Sequence, residues 1–323
     1  MKAAVLHQLG SLPIYEEFPT PVPQNENQLI LNMKASSLKN LDKLRASGKH
    51  YASYTDLPEV VGFDGVGVLE NGTRVYAQGI TGMMAEKALI SKNSYFVLPD
   101  KIDDFTAAAL PNAVIGATMA LRFRAKMKKG DVVLINGATG VTGQIAVQMA
   151  KLDGASTIIV TGRNSESLEK LKSLGADLIV SLMQDDESII NQLKEIQSNT
   201  PVNIVIDYLW GHPVELIINS LKGGGLNNIT SKIRIVTVGS MAGENINLTS
   251  GTLRSTAIEI LGSGIGSISK EEMVLFNTEI LSEMFQLAAE GKLSIDTESS
   301  TLSEIETIWN YKSTPGKRMV VCI

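Results

Sequence analysis

The chain has 323 residues, which is enough for two domains with a core in each. A formal net charge of −5 and the lack of a long basic cluster argue against nucleic acid or an anionic membrane as the main partner. Cys322 is the single cysteine, so an internal disulfide framework and a cysteine-rich zinc site are excluded. The sequence has no signal-peptide pattern and no apolar run near the roughly 20 residues of a membrane span, so we expect a cytoplasmic protein.

The first part of the chain, to Ile115, has the pattern of strands and loops. An opening strand at Lys2–His7 precedes a proline-spaced segment and the alternating strand QLILNMKASS. Glycines then stand at turn positions in VVGFDGVGVLENGTRVYAQG, and EKALISKNSYFVLPD follows. The pattern predicts a small, mostly antiparallel β domain. The next run, DFTAAALPNAVIGATMALRF, predicts a helix with a break at its proline.

From Val132 the chain alternates strictly between strands and helices. The strands are apolar runs without alternation, which is typical of a parallel sheet covered on both faces. They are VVLIN, STIIVTG, DLIVSL, VNIVIDY, IRIVTVGS and AIEILGSG. Six such strands, most joined by helices, predict a doubly wound Rossmann domain. After Gly266 we expect helical segments and a terminal strand, KRMVVCI, that pack back on the first domain.

The glycine-rich stretch INGATGVTG joins the first of these strands to its helix. In that setting the backbone N–H groups and the helix N-terminus are presented to a pyrophosphate. Gly140 would let the phosphate approach closely, and Gly143 would allow tight packing of helix on strand. The alternative is a purely structural turn. The predicted cofactor residues of this turn are Ala138, Thr139, Gly140, Val141, Thr142 and Gly143.

The end of the second strand, TIIVTGRN, indicates which nucleotide is bound. An NAD site usually has Asp or Glu about 20 residues after the glycine turn, to hold the ribose hydroxyls. Here Thr161 and Gly162 take that place and Arg163 follows, and a guanidinium can pair with a 2′-phosphate. We therefore predict NADP(H), with Asn164 and Ser165 assisting Arg163. The alternative is that Arg163 is a solvated loop residue.

Ligands in such sheets bind at the carboxyl ends of the strands. The ends of the fourth and fifth strands are therefore further candidates, and Gly239 would permit close approach of the nicotinamide ribose. The residues predicted to bind cofactor there are Asp207, Tyr208, Val238, Gly239 and Ser240. We interpret Trp210 and His212, which follow the fourth strand, as loop residues.

Several motifs together give a resemblance that covers the full length. They include SSLKNLDKLRASG, PEVVGFDGVGVLENGTRV, GMMAEKALI, the glycine turn, LKSLGAD and GKRMVV. The chain resembles the medium-chain dehydrogenase/reductase superfamily, in its zinc-free quinone oxidoreductase and enone reductase branch. The resemblance implies an α/β protein: a GroES-like, mostly-β catalytic domain (1–120 and 265–323) around a Rossmann domain with a six-stranded parallel sheet (121–264). It also implies an active site in the cleft between these domains.

A short-chain dehydrogenase is excluded on two grounds. Its glycine turn would lie near the N-terminus, and it would need a Tyr-x-x-x-Lys pair. No tyrosine of this chain has a lysine four positions later.

The departures from the zinc-dependent members concern the metal ligands. Where those members have Gly-His-Glu, this chain has Gly62-Phe63-Asp64, and Lys39 stands at the position of their ligand cysteine. A catalytic zinc needs about three protein ligands, and the chain has only three histidines, scattered in sequence. We predict no metal, and we interpret Asp64 as a structural hydrogen-bonding group rather than a general base.

Without a Lewis acid, the suitable reaction is NADPH-dependent hydride transfer to a small electrophile, a quinone or an α,β-unsaturated carbonyl. Lys39 and Asn40 are candidates for contacts to the cofactor ribose or the substrate oxygen. Tyr51 and Tyr54 are candidate cleft phenols and proton donors. The alternatives are a surface lysine and ordinary loop aromatics. A second hypothesis for the whole chain is a non-catalytic NADPH-binding sensor or scaffold. A homodimer is also open, because the last Rossmann strand (257–262) could pair across a twofold axis.

Overall fold

The computed structural model describes residues 1–50, 52–222 and 232–323. Its strands, in chain order, are β1 (Lys2–Leu6), β2 (Ile14–Glu17), β3 (Gln28–Ser37), β4 (Glu59–Val60), β5 (Asp64–Val68), β6 (Arg74–Gly79), β7 (Lys87–Val97), β8 (Val132–Asn136), β9 (Thr157–Gly162), β10 (Leu178–Ser181), β11 (Ile204–Asp207), β12 (Ile233–Thr237), β13 (Ile258–Gly262), β14 (Thr297–Thr301) and β15 (Arg318–Cys322).

The α-helices are α1 (Asn40–Ala46), α2 (Asp104–Thr118), α3 (Val141–Leu152), α4 (Ser165–Leu174), α5 (Asp186–Asn199), α6 (Gly211–Ser220), α7 (Ser250–Ser255), α8 (Lys270–Leu275), α9 (Leu281–Ala289) and α10 (Ile305–Trp309). Two π-helical segments, Met119–Arg124 and Phe276–Ile280, and two short 3₁₀ turns complete the helical structure of the described residues. None of these described helices has the length and apolar character needed to cross a bilayer.

The chain divides into two compact units. Residues Met1–Pro111 and Glu279–Ile323 form the first, here called the β-rich unit, and Asn112–Thr278 form the second, here called the Rossmann unit. The division falls directly after Pro111. The assignment of catalytic and cofactor domains to 1–120, 121–264 and 265–323 stays a prediction.

The Rossmann unit contains a six-stranded sheet in the order β10-β9-β8-β11-β12-β13. All five pairings between neighbouring strands are parallel. One core cluster contains a fully buried residue from each of the adjacent strands β9, β8, β11 and β12. These residues are Ile159, Leu134, Val205 and Ile235. Burying each such side chain contributes about 1.5–3 kcal/mol to folding. The predicted doubly wound parallel sheet is confirmed.

The β-rich unit contains a second six-stranded sheet, in the order β14-β15-β3-β5-β6-β7, and a smaller sheet, β2-β1-β4. Strand β3 is long enough to pair with β7 through its first half and with β5 through its second. Through this double pairing, β3, β5, β6 and β7 form a closed ring of antiparallel strands. The unit is mostly antiparallel β structure, as predicted. Among the described strands of this unit, only β14 and β15 pair in parallel.

Two local predictions are wrong. The proline of DFTAAALPNAV does not break the helix, because Pro111 lies inside α2 and the irregularity follows later, as the π-helical segment. His212 is not a loop residue, because α6 begins at Gly211, whereas Trp210 precedes the helix at its N-cap position and lies in the connecting loop as predicted. Trp210 adopts φ 54°, a left-handed conformation that non-glycine residues seldom take. The sequence therefore gives no signal that a tryptophan stands at the start of this helix.

Candidate functional site

The glycine turn lies between β8 and α3 in the Rossmann unit, where the predicted phosphate site was expected. Gly137 has φ 82°, which turns the chain sharply after β8. Gly140 is the N-cap residue of α3, and no side chain caps the helix there. The first N–H groups of α3 therefore point out of the helix without a side-chain acceptor, as a phosphate-binding helix end requires.

The two glycines of the turn have different surroundings. A Cβ on Gly143 would lie 2.6 Å from the Cα of Ala138 and 2.8 Å from its carbonyl carbon, so glycine is required for the contact of α3 with the turn. A Cβ on Gly140 would meet only the carbonyl oxygen of Gly137, at 3.8 Å, and its φ of −74° suits any residue. The protein itself thus gives no steric reason for glycine at 140, and the open space there fits a ligand that approaches the backbone.

A series of buried, hydrogen-bonded polar side chains links the glycine turn to the sheet. Thr161 Oγ1 accepts from Gly137 N at 3.2 Å and donates to Asn136 Oδ1 at 2.5 Å. Asn136 Nδ2 in turn donates to Asp207 Oδ1 at 2.7 Å. These three side chains are buried at the carboxyl ends of the neighbouring strands β9, β8 and β11. The chain fixes the position of the turn relative to the sheet.

Asp207, a predicted cofactor residue, uses its carboxylate for hydrogen bonds within the protein. Its carboxylate accepts from Asn136 and from the backbone N–H groups of Leu209 and Trp210. Burial raises the pKa of this carboxyl, although the same hydrogen bonds oppose the rise. Its contacts make Asp207 a group that orders the loop between β11 and α6, and its role toward the cofactor stays a prediction.

The end of β9 carries the residues predicted to select the nucleotide. Gly162 is buried, and a Cβ there would lie 2.6 Å from Thr139 Cγ2, so the strand end passes close to the glycine turn. Arg163 is exposed, and no carboxylate of the described residues pairs with it. Asn164 caps α4 through a 2.7 Å bond from Ser167 N to its Oδ1, and its amide nitrogen can still donate beside Arg163.

The strand ends of β11 and β12 bring the remaining cofactor candidates together. A Cβ on Gly239 would lie 2.9 Å from the carbonyl oxygen of Tyr208, so this glycine is required by packing as well. Val238 N donates to the carbonyl of Asp207 at 2.8 Å, and Ser240 Oγ donates to Glu244. The hydroxyl of Tyr208 is buried without a hydrogen-bond partner among the described residues.

These features fit a dinucleotide with a phosphorylated ribose. The open space at Gly140 and the uncapped end of α3 suit a pyrophosphate, and the exposed guanidinium of Arg163 suits a 2′-phosphate. No carboxylate stands at the end of β9 to repel that group.

In the β-rich unit, Lys39 lies at the junction of β3 and α1 and is only 1% exposed. Its ammonium donates to Asp64 Oδ1 at 2.6 Å, to the carbonyl oxygen of Ser37 at 2.9 Å and to Ser37 Oγ at 3.1 Å. A lysine has three donors, so all of them have acceptors. The interpretation of Lys39 as a surface lysine is wrong, and its contact with ribose or substrate stays a prediction.

Two buried carboxyl groups face this ammonium. Asp42 Oδ2 lies 3.6 Å from Lys39 Nζ and accepts from Lys39 N, while Asp42 Oδ1 accepts from Phe63 N at 3.0 Å. Asp64 also accepts from the hydroxyl of Tyr76 at 2.9 Å. Burial raises the pKa of the Asp42 carboxyl, and Lys39 opposes that rise. Burial and the Asp64 carboxylate raise the pKa of Tyr76, which keeps its proton for this bond.

We call Lys39, Asp42, Asp64 and Tyr76 the buried charge cluster. The sequence suggested a structural role for Asp64 but gave no sign of Tyr76, which lies 37 positions from Lys39 along the chain. The i, i+3 spacing of Lys39 and Asp42 at a helix start was the only local signal. The Asn136–Thr161–Asp207 chain was likewise missed, except for Asp207 itself.

The other candidate catalytic residues are placed differently. Asn40 is the first residue of α1 and is exposed. Tyr54 is buried, its hydroxyl oxygen accepts from Gly62 N at 3.2 Å, and Arg45 lies over its ring at 4.5 Å. Burial raises the pKa of Tyr54, so the phenol is protonated at neutral pH. Tyr51 lies outside the described residues.

Metal-ligating side chains do not come together in the part of the chain that the structure describes. No group of three or more His, Cys, Asp or Glu residues there could hold an ion. His7 pairs with Glu16 and His212 with Asp186, both on exposed surface.

Comparison with known proteins gives consistent relatives. Residues 141–278 match the sequence model of the zinc-binding dehydrogenase family. The chain is 27% identical to the probable NADPH-dependent quinone reductase tdiC of Emericella nidulans, over 99% of each chain. It is 32% identical to the chloroplastic NADPH-dependent alkenal/one oxidoreductase of Arabidopsis thaliana, over 58% of this chain and 53% of that one. The solved quinone oxidoreductase of Thermus thermophilus, also determined in complex with NADPH, shares the fold over the full length of both chains, with a TM-score of 0.77 at 24% identity.

Proposed function

Since the chain belongs to the medium-chain dehydrogenase/reductase superfamily, in its quinone oxidoreductase and enone reductase branch, we propose that it is an NADPH-dependent, zinc-independent reductase. Its substrate would be a small electrophile, a quinone or an α,β-unsaturated carbonyl. The relatives named as quinone reductase and alkenal/one oxidoreductase support this reaction class.

The observation that carries the proposal is the Lys39 ammonium between the carboxyl groups of Asp42 and Asp64. By the resemblance, Lys39 stands where zinc-dependent members have a cysteine ligand. A fixed cation already pairs with the buried carboxyl groups there, and a metal ion beside it would be repelled. Without a Lewis acid to polarise an alcohol or ketone, the acceptor must be electrophilic by itself, as quinones and enones are.

NADPH, when bound, supplies the hydride. In the Rossmann unit the N–H groups at the start of α3 would hold its pyrophosphate over Gly140, and Arg163 would pair with its 2′-phosphate. The buried chain of Asn136, Thr161 and Asp207 keeps the turn in place, so these donors are ordered before the cofactor arrives.

The β-rich unit would supply groups for the developing oxyanion. Asn40 is exposed and can donate from its amide. Tyr54 accepts from Gly62 N and keeps its own hydrogen, so its phenol is a candidate hydrogen-bond donor. The buried charge cluster acts as a positioning group, because it fixes the start of α1 and thereby Asn40.

A second candidate, a non-catalytic NADPH-binding sensor or scaffold, is favoured by one observation. Of the described catalytic candidates, Lys39 and Tyr54 are buried and only Asn40 is exposed.

One experiment decides between the reductase and the sensor or scaffold. It measures the loss of NADPH absorbance with a panel of quinones and enones, beside a direct measurement of NADPH binding. Binding with turnover of at least one acceptor supports the reductase. Binding with no turnover of any acceptor supports the sensor. Asn40→Ala should lower turnover while leaving NADPH affinity within about twofold, and Lys34→Ala, an exposed lysine on β3, is the matched control.

A further inference from the structure

The β-rich unit contains a cavity of about 810 Å³ that shares no lining residue with the candidate functional site. Its lining comes mainly from the first half of β3, from the turn after β5 and from β7. Asn32 of β3 lies opposite Val68 of β5 in an antiparallel pair, so the start of β3 runs beside that turn. The cavity therefore lies at one end of the closed ring of strands, and we call it the ring-end cavity.

One wall of the ring-end cavity is apolar. Leu69 is buried in the core cluster of the strand ring, and Leu29 and Tyr95 pack against the same cluster while they remain partly exposed. Ile30, the next residue of β3, is also half-buried. Apolar side chains that stay partly in water on a concave surface favour a ligand with an apolar body, because such a ligand removes them from water.

The lining also offers neutral hydrogen-bond donors. Gln28 Oε1 accepts from Gln24 N at 2.8 Å, and Asn71 Oδ1 accepts from Thr73 N at 3.0 Å. These bonds use the amide oxygens and leave both amide nitrogens as donors. Within residues 1–50, 52–222 and 232–323, neither amide nitrogen has an acceptor, and the hydroxyl of Tyr95 has no hydrogen-bond partner.

Three charged side chains complete the lining that concerns us: Lys87 and Lys92 of β7, and Glu70 of the turn. All three are exposed, and none forms an ion pair with another described residue. Lys87 lies opposite Asn32, and Lys92 N donates to the carbonyl of Asn27, so the two lysines flank the first half of β3. Their positive charges exceed the charge of Glu70 by one. A monoanion balances that excess, whereas a dianionic phosphate would reverse it.

We propose that the ring-end cavity binds a monocarboxylate with an apolar body, such as a medium-chain fatty acid. The carboxylate would accept from a lysine ammonium and from a neighbouring neutral donor, and the hydrocarbon chain would cover the apolar wall. The volume of the cavity lies within the range of small-molecule sites, so it accommodates a whole ligand of this kind. The binding does not depend on the proposed reductase activity.

Titration calorimetry of the full chain with decanoate, acetate and decanamide tests this recognition. Wild type should bind decanoate, and it should bind the other two at least about tenfold more weakly, because acetate lacks the apolar body and decanamide lacks the charge. Lys87→Gln/Lys92→Gln should weaken decanoate binding about tenfold, and Glu70→Gln should strengthen it about twofold, because the opposing charge is removed. The matched control is Lys34→Gln/Lys101→Gln, which removes two exposed lysines of the same unit outside the cavity and should keep wild-type affinity.

Three results would overturn the proposal: equal decanoate affinity in wild type and Lys87→Gln/Lys92→Gln, a loss of the same size in the control, or weaker binding in Glu70→Gln. Displacement of decanoate by NADPH or by a quinone would also overturn it, because the acid would then occupy the candidate functional site. All the changed side chains are exposed, and unfolding midpoints equal to that of wild type show that each variant is folded. Because the titration needs no cofactor and no turnover, its failure is distinguishable from failure of the reductase assignment.

Discussion

Each of the two units buries a polar network beside its predicted site, and the two networks are built in different ways. In the Rossmann unit, Asn136, Thr161 and Asp207 lie at the ends of three adjacent parallel strands. Neutral side chains make most of its links, with one carboxylate at the end. In the β-rich unit the network centres on an ammonium between two carboxyl groups, supplied by the start of α1 and by β5.

The difference shows what each unit requires of its side chains. The Rossmann network supports a site made of backbone, so its residues only have to hold a turn in place. The buried charge cluster has to neutralise charges that have left water, and each member depends on the others for that. We therefore expect substitutions in the cluster to act mainly on stability, and substitutions at the turn to act mainly on the cofactor.

The largest effect is expected for Lys39→Ala. It leaves Asp42 and Asp64 buried without their cation, which costs about 3–5 kcal/mol when one partner of a buried pair is removed. Denaturant unfolding measures this loss, and Lys34→Ala, on the preceding strand β3, should stay within about 0.5 kcal/mol of wild type. A loss below about 1 kcal/mol would mean that the cluster is not the charge balance of this unit.

Gly143→Ala and Gly140→Ala test whether the turn separates packing from binding. The first places a Cβ against the backbone of Ala138 and should cost about 1–3 kcal/mol of stability through overpacking. The second has open space and should leave stability unchanged or raise it by about 0.4–1 kcal/mol, because the unfolded chain loses freedom.

The same Gly140→Ala variant should nevertheless bind NADPH more weakly, since its Cβ lies where the pyrophosphate would approach. Unfolding curves and NADPH titrations of both variants give the two quantities separately. Full NADPH affinity in Gly140→Ala would remove the phosphate assignment from this turn.

Arg163→Ala sharpens the assignment of the nucleotide. Loss of charge-assisted bonds to a 2′-phosphate should weaken NADPH binding by about 10- to 100-fold and leave NADH binding nearly unchanged. Lys172→Ala, on the exposed side of α4, is the control. Equal losses for both nucleotides would show that Arg163 does not recognise the 2′-phosphate.

The smallest effect concerns the carboxyl group of Asp207. Burial raises its pKa above the ordinary value of 3.8, so the folded state holds the proton to higher pH than the unfolded chain does. Its contribution to stability is complete below that ordinary value and is lost as pH rises through the raised pKa. The unfolding free energy of wild type, minus that of Asp207→Asn, should therefore fall from acid pH toward neutrality.

Asp42 shows the same direction of shift, but its contribution cancels in the difference between the two proteins. A difference that grows with pH would mean that the hydrogen bonds from Asn136, Leu209 and Trp210 outweigh burial at Asp207.

The sequence predicted the Rossmann unit well because its signals are local. Apolar runs without alternation identify buried parallel strands, and a glycine turn between a strand and a helix predicts where a phosphate would bind. Gly143 has the packing role expected of it. By contrast, Lys39 and Asp64 are 25 residues apart. Their contact depends on how β3 and β5 pair, and no periodicity in the sequence reveals it.

The start of α6 shows a second limit. Asp207, the last residue of β11, accepts from the N–H groups of Leu209 and Trp210. It thereby orders the loop that leads into the helix. The usual sequence signal for a helix start is a capping residue next to the helix, and here Trp210 occupies that position.

Metal dependence tests the central claim most directly. Protein dialysed against a strong chelator, with its residual metal content measured, should oxidise NADPH with its best quinone or enone at the same kcat and KM as untreated protein. Added Zn²⁺ should not increase the rate, because the Lys39 ammonium already lies between the carboxyl groups of Asp42 and Asp64. Loss of turnover on chelation, restored by stoichiometric Zn²⁺, would contradict this account.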